Sequence, residues 1–517
     1  MVGALNGPQR RKGGCPMVDW GLLIDEGAIA SVLPDAYARF RRPVLGALTT
    51  FLESLPAGHQ AAVLAGQAAL PPTAPASERL FVLARSCPAL HKLGQILARD
   101  RRLSPELRQH LQGLESLPPS TPLGAVQATL AQELGPLDRL GVTLEPPALA
   151  EASVAVVIPF RGDRGERPRQ GVFKVLKPGI EERLDQELGL LGCVGSYLDE
   201  RCDEFGIPHL DYQEVFEQVR EKLRDELRLD LEQRHLAQAR ATYECEPRVL
   251  VPALFEHCTA RVTAMERVTG WKVTEHGLGR AGERRRLADL LVEALIARPI
   301  FTRASPAVFH ADPHAGNLFL THDRRLAVLD WSLVGALGEP ERVALVQVLL
   351  AALALDGEHI LATLEGLAER PPDRPALRSV VDAGLRRVRR GQLPGLTWLM
   401  ALLDEAARAA RLRLGADLLL FRKALHTLEG VEADIGAGAS RVDDVLLGEF
   451  LRHLAAEWPQ RWLALPGCRA FATRLSNADL ARLILGLPWA AARFWTDLAL
   501  DLLAPRQLAA VSSAAAG

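Results

Sequence analysis

Paired cysteines are missing from this chain. Its seven cysteines stand at 15, 87, 193, 202, 245, 258 and 468, and no two form a C-x-x-C pair. That scatter argues against a disulfide framework or a zinc ribbon and fits reduced thiols in a reducing compartment. A charge excess is missing too. Lys+Arg number 61 against 63 Asp+Glu, so the basic surplus expected of a nucleic-acid binder is absent. No long apolar run follows Arg10, Arg11 and Lys12, and no secretory signal is expected. The most apolar late stretch, Leu480 to Leu503, is interrupted by Arg482, Pro488, Arg493, Asp497 and Asp501. A spanning helix needs about 20 mainly apolar residues, so this stretch is not expected to span a membrane. Lysine is scarce beside arginine, while alanine and leucine abound; that bias reads as base composition of the source genome. No internal repeat is visible.

What is present supports a large folded protein. A length of 517 residues allows two to four units, at roughly 150 residues each. An apolar fraction of 48% is enough for a buried core. Helical spacing dominates the first part of the chain, through Leu80, Leu83, Leu90, Leu93, Ile96 and Leu97, with a loop at Leu70–Pro75. A further helix is expected over 122–134. The texture then turns β-branched at Ser153–Ile158 and Gly171–Leu176, with a polar Arg161–Gln170 connection between them. This predicts a hairpin with a long loop. One charged, periodic helix is predicted from Tyr212 to Arg240, then strands at Arg248–Pro252 and Arg261–Met265. After 280 the pattern is helical except for 308–335. The order gives an α+β plan. The tail Val511–Gly517 is low in complexity and expected to fray.

The residue string Phe309-His310-Ala311-Asp312-Pro313-His314-Ala315-Gly316-Asn317-Leu318 carries the strongest chemical signal. Leu326-Ala327-Val328-Leu329-Asp330 follows it. Phosphoryl transfer needs a carboxylate beside the incoming hydroxyl or water, and oxygen ligands for a magnesium ion that bridges the phosphates. Asp312 and Asn317 on one loop, with Asp330 at the end of an apolar strand, supply both in the order found in kinases. The plainer alternative is a solvated loop with an Asx-type turn. Lys174, within Val172-Phe173-Lys174-Val175, matches the phosphate-pairing strand lysine of kinases; alone it would read as a surface lysine. The predicted 212–240 helix offers Glu226 and Glu232 as carboxylates to orient that lysine. At six residues apart, they would face different partners on a regular helix. Such charge runs are otherwise solvated helix faces. Lys92-Leu93-Gly94-Gln95 is a weak signal by itself, although its glycine would permit close approach to another backbone.

Taken together, these segments resemble the AarF/UbiB family of atypical protein-kinase-like proteins, the coenzyme Q assembly factor type, over about residues 85–440. Lys92–Gln95 resembles the family's K-x-G-Q motif. Pro147–Ser153 is similar to its alanine-rich loop, with Ala150, Ala152 and Ser153 as nucleotide-binding positions. Lys174, followed by Lys177-Pro178-Gly179, resembles the strand lysine and the basic-Pro-Gly after it. Glu226 falls at the Glu of an E-x-D motif, and Glu232 at the helix Glu that pairs with the strand lysine. His310–Asn317 is nearly the catalytic-loop string, and Leu425–Gly430 resembles a late helix. Departures are Arg228 in place of the E-x-D aspartate, Trp331-Ser332 after Asp330, and Leu149 and Glu151 in the alanine-rich loop. A carboxylate at 151 would repel phosphates if it pointed at them.

The resemblance implies a protein-kinase-like bilobal fold with a small antiparallel-sheet N-lobe, a mostly helical C-lobe and an N-terminal helical extension. The expected divisions are 1–80, a K-x-G-Q extension at 81–145, the N-lobe at 146–270, the C-lobe at 271–440 and a helical extension at 441–517. It implies ATP (or ADP) and Mg2+ as cofactors. Asp312, Lys174 and Glu232 are the expected catalytic residues, and Asn317 and Asp330 the expected metal ligands. Lys174, Ala150, Ala152, Ser153, Lys92, Gln95 and Glu226 are the expected nucleotide-site residues. It further implies prenyl-lipid or quinone-pathway partners and a cytoplasmic place, with peripheral contact at the inner face of the membrane open to it; the charge balance points to no nucleic-acid partner. Two other functions stay open at this point: a small-molecule phosphotransferase of the aminoglycoside/choline-kinase type, and a non-catalytic nucleotide-binding scaffold.

Overall fold

The computed structural model describes residues 20, 24–33, 35–97, 105–115, 121–162, 169–207, 212–225, 227–275 and 279–503. Its strands are β1 (Val142–Leu144), β2 (Ala150–Glu151), β3 (Ala155–Gly162), β4 (Arg169–Leu176), β5 (Val249–Leu250), β6 (Val262–Glu266), β7 (Gly270–Lys272), β8 (Ala307–His310), β9 (Leu318–Thr321), β10 (Leu326–Val328) and β11 (Val334–Leu337). The chain divides into two compact units, one of 1–231 with 254–267, the other of 232–253 with 268–517.

Unit one combines N-terminal helices with a five-stranded antiparallel sheet in the order β1-β3-β4-β6, with β2 also on β3. The β-branched and aromatic runs make this sheet because their alternate residues find a common core. Val156, Ile158, Phe160, Phe173, Val175, Val262 and Ala264 bury together against Val126 and Leu130 of the helix Leu123–Leu134. The Phe160 and Phe173 rings stack at 4.1 Å. The expected β3–β4 hairpin with its long connection is present.

Periodicity alone does not flag the helix Ile180–Asp199. Its stripe Leu184, Leu188, Leu191 and Leu198 buries against the N-terminal helices. Glycines at 189, 192 and 195 lower the local helix propensity, and one of them has a packing reason. A Cβ on Gly195 would lie 2.7 Å from the Cα of Gln213.

The single helix expected over 212–240 is two helices, Tyr212–Asp225 and Leu229–Tyr243. Leu223 and Leu229 are buried and Leu227 packs against the same core. Positions 227 and 229 are about 200° apart on a helix, so one continuous helix cannot turn both inward. The chain resets its phase through tight turns, with Leu227 N–H bonding to Arg224 O and Arg228 N–H to Asp225 O, both at 3.0 Å.

Unit two holds a four-stranded sheet, β5-β10-β9-β7, and the two-stranded pair β8–β11. The strand expected at 248–252 pairs in parallel with β10 in this second sheet, the one parallel pairing among the named strands. Helices complete the unit around Trp398, Phe421 and Leu425, all at or below 1% exposure. The architecture is α+β: helices, a small antiparallel sheet, then a mostly helical region. Among the described residues no helix is long and apolar enough to cross a membrane.

Candidate active site

In unit two the β8–β11 pair and the β9–β10 hairpin bring Asp312, Asn317 and Asp330 into one network. Strand β8 ends at His310, which is fully buried. Its Nδ1 accepts the Asp312 N–H at 3.1 Å. Its Nε2 faces the carbonyls of Leu329 and Asp330, each at 3.1 Å. An acceptor at Nδ1 and two carbonyls at Nε2 fix the neutral, Nε2-protonated tautomer. Burial also pushes this imidazole below its ordinary pKa. One neutral ring thus ties the Asp312 backbone to the Asp330 backbone.

Asn317 closes the loop from the other side. Its Nδ2 donates to the Asp312 carbonyl at 3.2 Å, so its Oδ1 is the atom left as an acceptor. Its backbone accepts the Leu329 N–H at 2.8 Å, one residue before Asp330. Asp330 adopts φ +53°, a left-handed conformation that Asp tolerates better than most residues, and its Oδ1 accepts the Ser332 N–H at 3.2 Å. Strained backbone of this kind clusters at functional sites. Trp331 is buried at 1% exposure. Its Nε1 donates to Val328 O at 3.1 Å, and its ring meets His310 edge-on at 4.9 Å.

Sequence reasoning did not find Lys423. It lies on the helix Ala416–Ile435, and its Nζ is 3.2 Å from Asp312 Oδ1. No motif flags it, because a lysine on an amphipathic helix reads as surface charge. Only the pairing of that helix with β8 and β11 brings it to the loop.

The oxygen-only set of Asp330 and Asn317 fits Mg2+, a hard cation that keeps waters and phosphate oxygens among its ligands. Among the described residues no group of three His, Cys, Asp or Glu could cage a metal.

In unit one, Lys174 sits mid-strand on β4 with Val157 on one side and Thr263 on the other. Its neighbours Phe173 and Val175 turn into the Phe160 core, so Lys174 occupies the sheet's opposite face. The alanine-rich stretch is a tight β2–β3 turn: Ala150 pairs with Val157, and Ala152 N–H bonds to Ala155 O at 2.8 Å. Ser153 is buried. Glu151 is neutralised, with Lys177 Nζ at 2.8 Å and the Thr121 N–H donating to it at 2.9 Å. Its carboxylate is therefore built into the fold. Lys92 is half-buried on the helix Pro88–Leu97, which also carries Gln95. The close approach of Gly94 is to a side chain, since a Cβ there would lie 2.7 Å from Leu114 Cδ1. Arg228 is paired with Asp230 at 3.0 and 2.9 Å. Glu226 lies outside the described residues. Glu232 is buried near the start of the helix Leu229–Tyr243, in unit two.

Residues 114–364 match the model of the ABC1 atypical kinase-like domain. The "Probable protein kinase UbiB" of Marinobacter nauticus is 28% identical over 361 residues, covering 66% of this chain and 64% of that protein. The protein of the same description from Tolumonas auensis is 28% identical over 363 residues, with the same coverage. A chloroplastic aarF domain-containing protein kinase of Arabidopsis thaliana is 30% identical over 281 residues, covering 53% of this chain and 50% of that one. The chain thus spans at most about two thirds of the length of these relatives. A solved structure described as the Rv3197–erythromycin complex from Mycobacterium tuberculosis aligns with TM-score 0.48 and 20% identity, covering 78% of this chain and 94% of that one.

Proposed function

We propose, from the match of residues 114–364 to the ABC1 atypical kinase-like domain, that this chain binds Mg-ATP and acts as an ATPase or kinase-like phosphotransferase. The observation that carries the proposal is the His310-centred network joining the backbones of Asp312 and Asp330, with Asn317 bonded to the same loop.

Each residue then has a role. Lys174 contacts the α- and β-phosphates, and Glu232 is a further catalytic residue. Ala150, Ala152 and Ser153 line the nucleotide, and Lys92, Gln95 and Glu226 complete its surroundings. Asp330 and Asn317 hold Mg2+, which when bound neutralises charge developing on the phosphates. Asp312 orients the attacking water or hydroxyl. The oxygen of that water or hydroxyl bonds to the γ-phosphorus as the bond from phosphorus to the bridging oxygen of ADP breaks. ADP departs, and the nucleophile's proton passes to the Asp312 carboxylate. By likeness to the UbiB relatives, the activity serves isoprenoid-quinone or other prenyl-lipid metabolism, peripheral to the inner face of the membrane.

Replacing Asp330 by Asn should abolish Mg2+-dependent nucleotide binding in calorimetry, whereas Asp312→Asn should keep binding and lose turnover. Undiminished affinity in Asp330→Asn would refute the metal assignment. Robust ADP release that depends on a small hydroxylated acceptor would favour a small-molecule phosphotransferase. Binding without hydrolysis in the unaltered protein would favour a scaffold.

A further inference from the structure

The loop from Asp312 to Asn317 has no lysine or arginine of its own. Its one titratable side chain besides Asp312 is His314, whose Nδ1 accepts the Gly316 N–H at 3.1 Å and is therefore unprotonated there. The His314 Nε2 lies 4.0 Å from Asp312 Oδ2, beyond hydrogen-bond reach. A carboxylate next to a triphosphate repels it, and a cation held against that carboxylate offsets the repulsion.

Lys423 is such a cation, with its Nζ 3.2 Å from Asp312 Oδ1, and its place is fixed from several directions. Phe421, two residues before it, packs edge-on against Phe309 of β8 at 5.2 Å. Asp417 at the start of the same helix accepts the Ala336 N–H of β11 at 3.0 Å. Leu418, Ala424, Leu425 and Leu428 bury the helix face. Lys423 itself is on the flank of that face, with 40% of its side chain exposed and its Nζ on Asp312. The ammonium is thus held at the carboxylate, on a side chain that is not sealed into the core.

We infer that Lys423 is a further cation of the transfer centre: it pairs with Asp312 and, when nucleoside triphosphate is bound, contacts the terminal phosphate. This rests on the reading of Asp312, Asn317 and Asp330 as the nucleotide site. During transfer the ammonium keeps its proton; it stabilises the charge on the moving phosphoryl group while the γ-phosphorus exchanges its bridging oxygen for the incoming one.

The test compares Lys423→Met and Lys423→Arg with the unaltered full chain, measuring Mg-ADP and Mg-ATP affinity by calorimetry and ATP turnover. ADP lacks the terminal phosphate, so the two nucleotides separate a phosphate contact from a fold defect. Lys423→Met should weaken ATP binding about tenfold or more, which is about 1.4 kcal/mol, and leave ADP binding within about twofold. Turnover should fall by about 30-fold or more, in the range of one lost electrostatic contact. Lys423→Arg should recover most of the ATP affinity. The ATP-over-ADP split should persist in an Asp312→Asn background. Its disappearance there would mean that Lys423 acts only through Asp312 and would overturn the phosphate contact. Equal losses for both nucleotides, or no loss for either, would overturn it as well. If the unaltered chain binds neither nucleotide, the site reading fails first and the inference falls with it.

Discussion

Glu187 offers a test of how the helix carrying Lys92 is held. It sits on the helix Ile180–Asp199 with no exposed surface. Its Oε2 accepts the Ala89 N–H at 2.9 Å, one of the four orphan donors at the start of the helix Pro88–Leu97. Arg183 Nε is 3.4 Å from Oε1 and also bonds Ser86 O through its other nitrogen. His59 Nδ1 is 4.0 Å away, and burial pushes that imidazole below its ordinary value. Burial also dominates at Glu187 itself: it outweighs the Ala89 N–H and the arginine and pushes the carboxyl from 4.5 up to about 7. The folded state therefore binds this proton more tightly than the unfolded chain does. The stabilisation is complete below pH 4.5 and is lost as pH rises through about 7. At about 1.4 kcal/mol per pH unit, the loss is roughly 3 kcal/mol. Glu187→Gln keeps an oxygen for the Ala89 N–H and cannot ionise. Urea unfolding of both proteins between pH 4.5 and 8, with hydrogen exchange of 88–97 as the local probe, isolates the effect. The glutamine variant should gain on the unaltered protein by roughly 3 kcal/mol across that window. Curves parallel to within about 0.5 kcal/mol, or a gain for the unaltered protein with rising pH, would show that Arg183 dominates the site.

Tyr243 donates from its Oη to Ala294 O at 2.8 Å inside the π-helical turn Glu293–Ala297, and Tyr243→Phe should lower stability by about 1–2 kcal/mol in urea titration. Arg474, 3% exposed, bonds Thr302 O at 3.0 Å, Arg303 O at 3.1 Å and Glu339 at 3.1 Å, bracing the segment that leads into β8. Arg474→Ala should cost roughly 3 kcal/mol, read as a lower thermal midpoint, and an unchanged midpoint would refute the bracing. Gly195→Ala places a Cβ 2.7 Å from Gln213 Cα and 3.0 Å from its nitrogen. It should destabilise by about 1–3 kcal/mol although alanine is the better helix former, and a stabilised variant would refute the contact.

The parts of this molecule that were legible in the sequence are those whose physical cause is local. The β3–β4 hairpin is visible because β-branched runs and a polar connection sit side by side, and the order of Asp312, Asn317 and Asp330 is visible because one short loop and one strand end carry them. The single helix read over 212–240 failed where a local pattern met a tertiary demand. Its charges are periodic, yet Leu227 and Leu229 both belong to one core, and burying them required a break. The helix Ile180–Asp199 escaped notice for the converse reason, since its glycines suppress the local signal while Gln213 explains one of them.

Lys423 shows the limit most clearly, because its meaning exists only after β8, β11 and the helix Ala416–Ile435 have packed. The same division applies to Glu151. As a letter in an alanine-rich loop it threatened phosphate binding. In the fold it is paired with Lys177, a residue whose own letter read only as the start of a Lys-Pro-Gly turn. Charges in a sequence are signed but unplaced, and a carboxylate's effect on a bound anion depends on which cation it meets first. At Asp312 one such cation is Lys423. Whether its charge is confined to the aspartate or reaches the phosphate decides if the loop is a complete transfer centre, and the ATP-against-ADP comparison measures that difference directly.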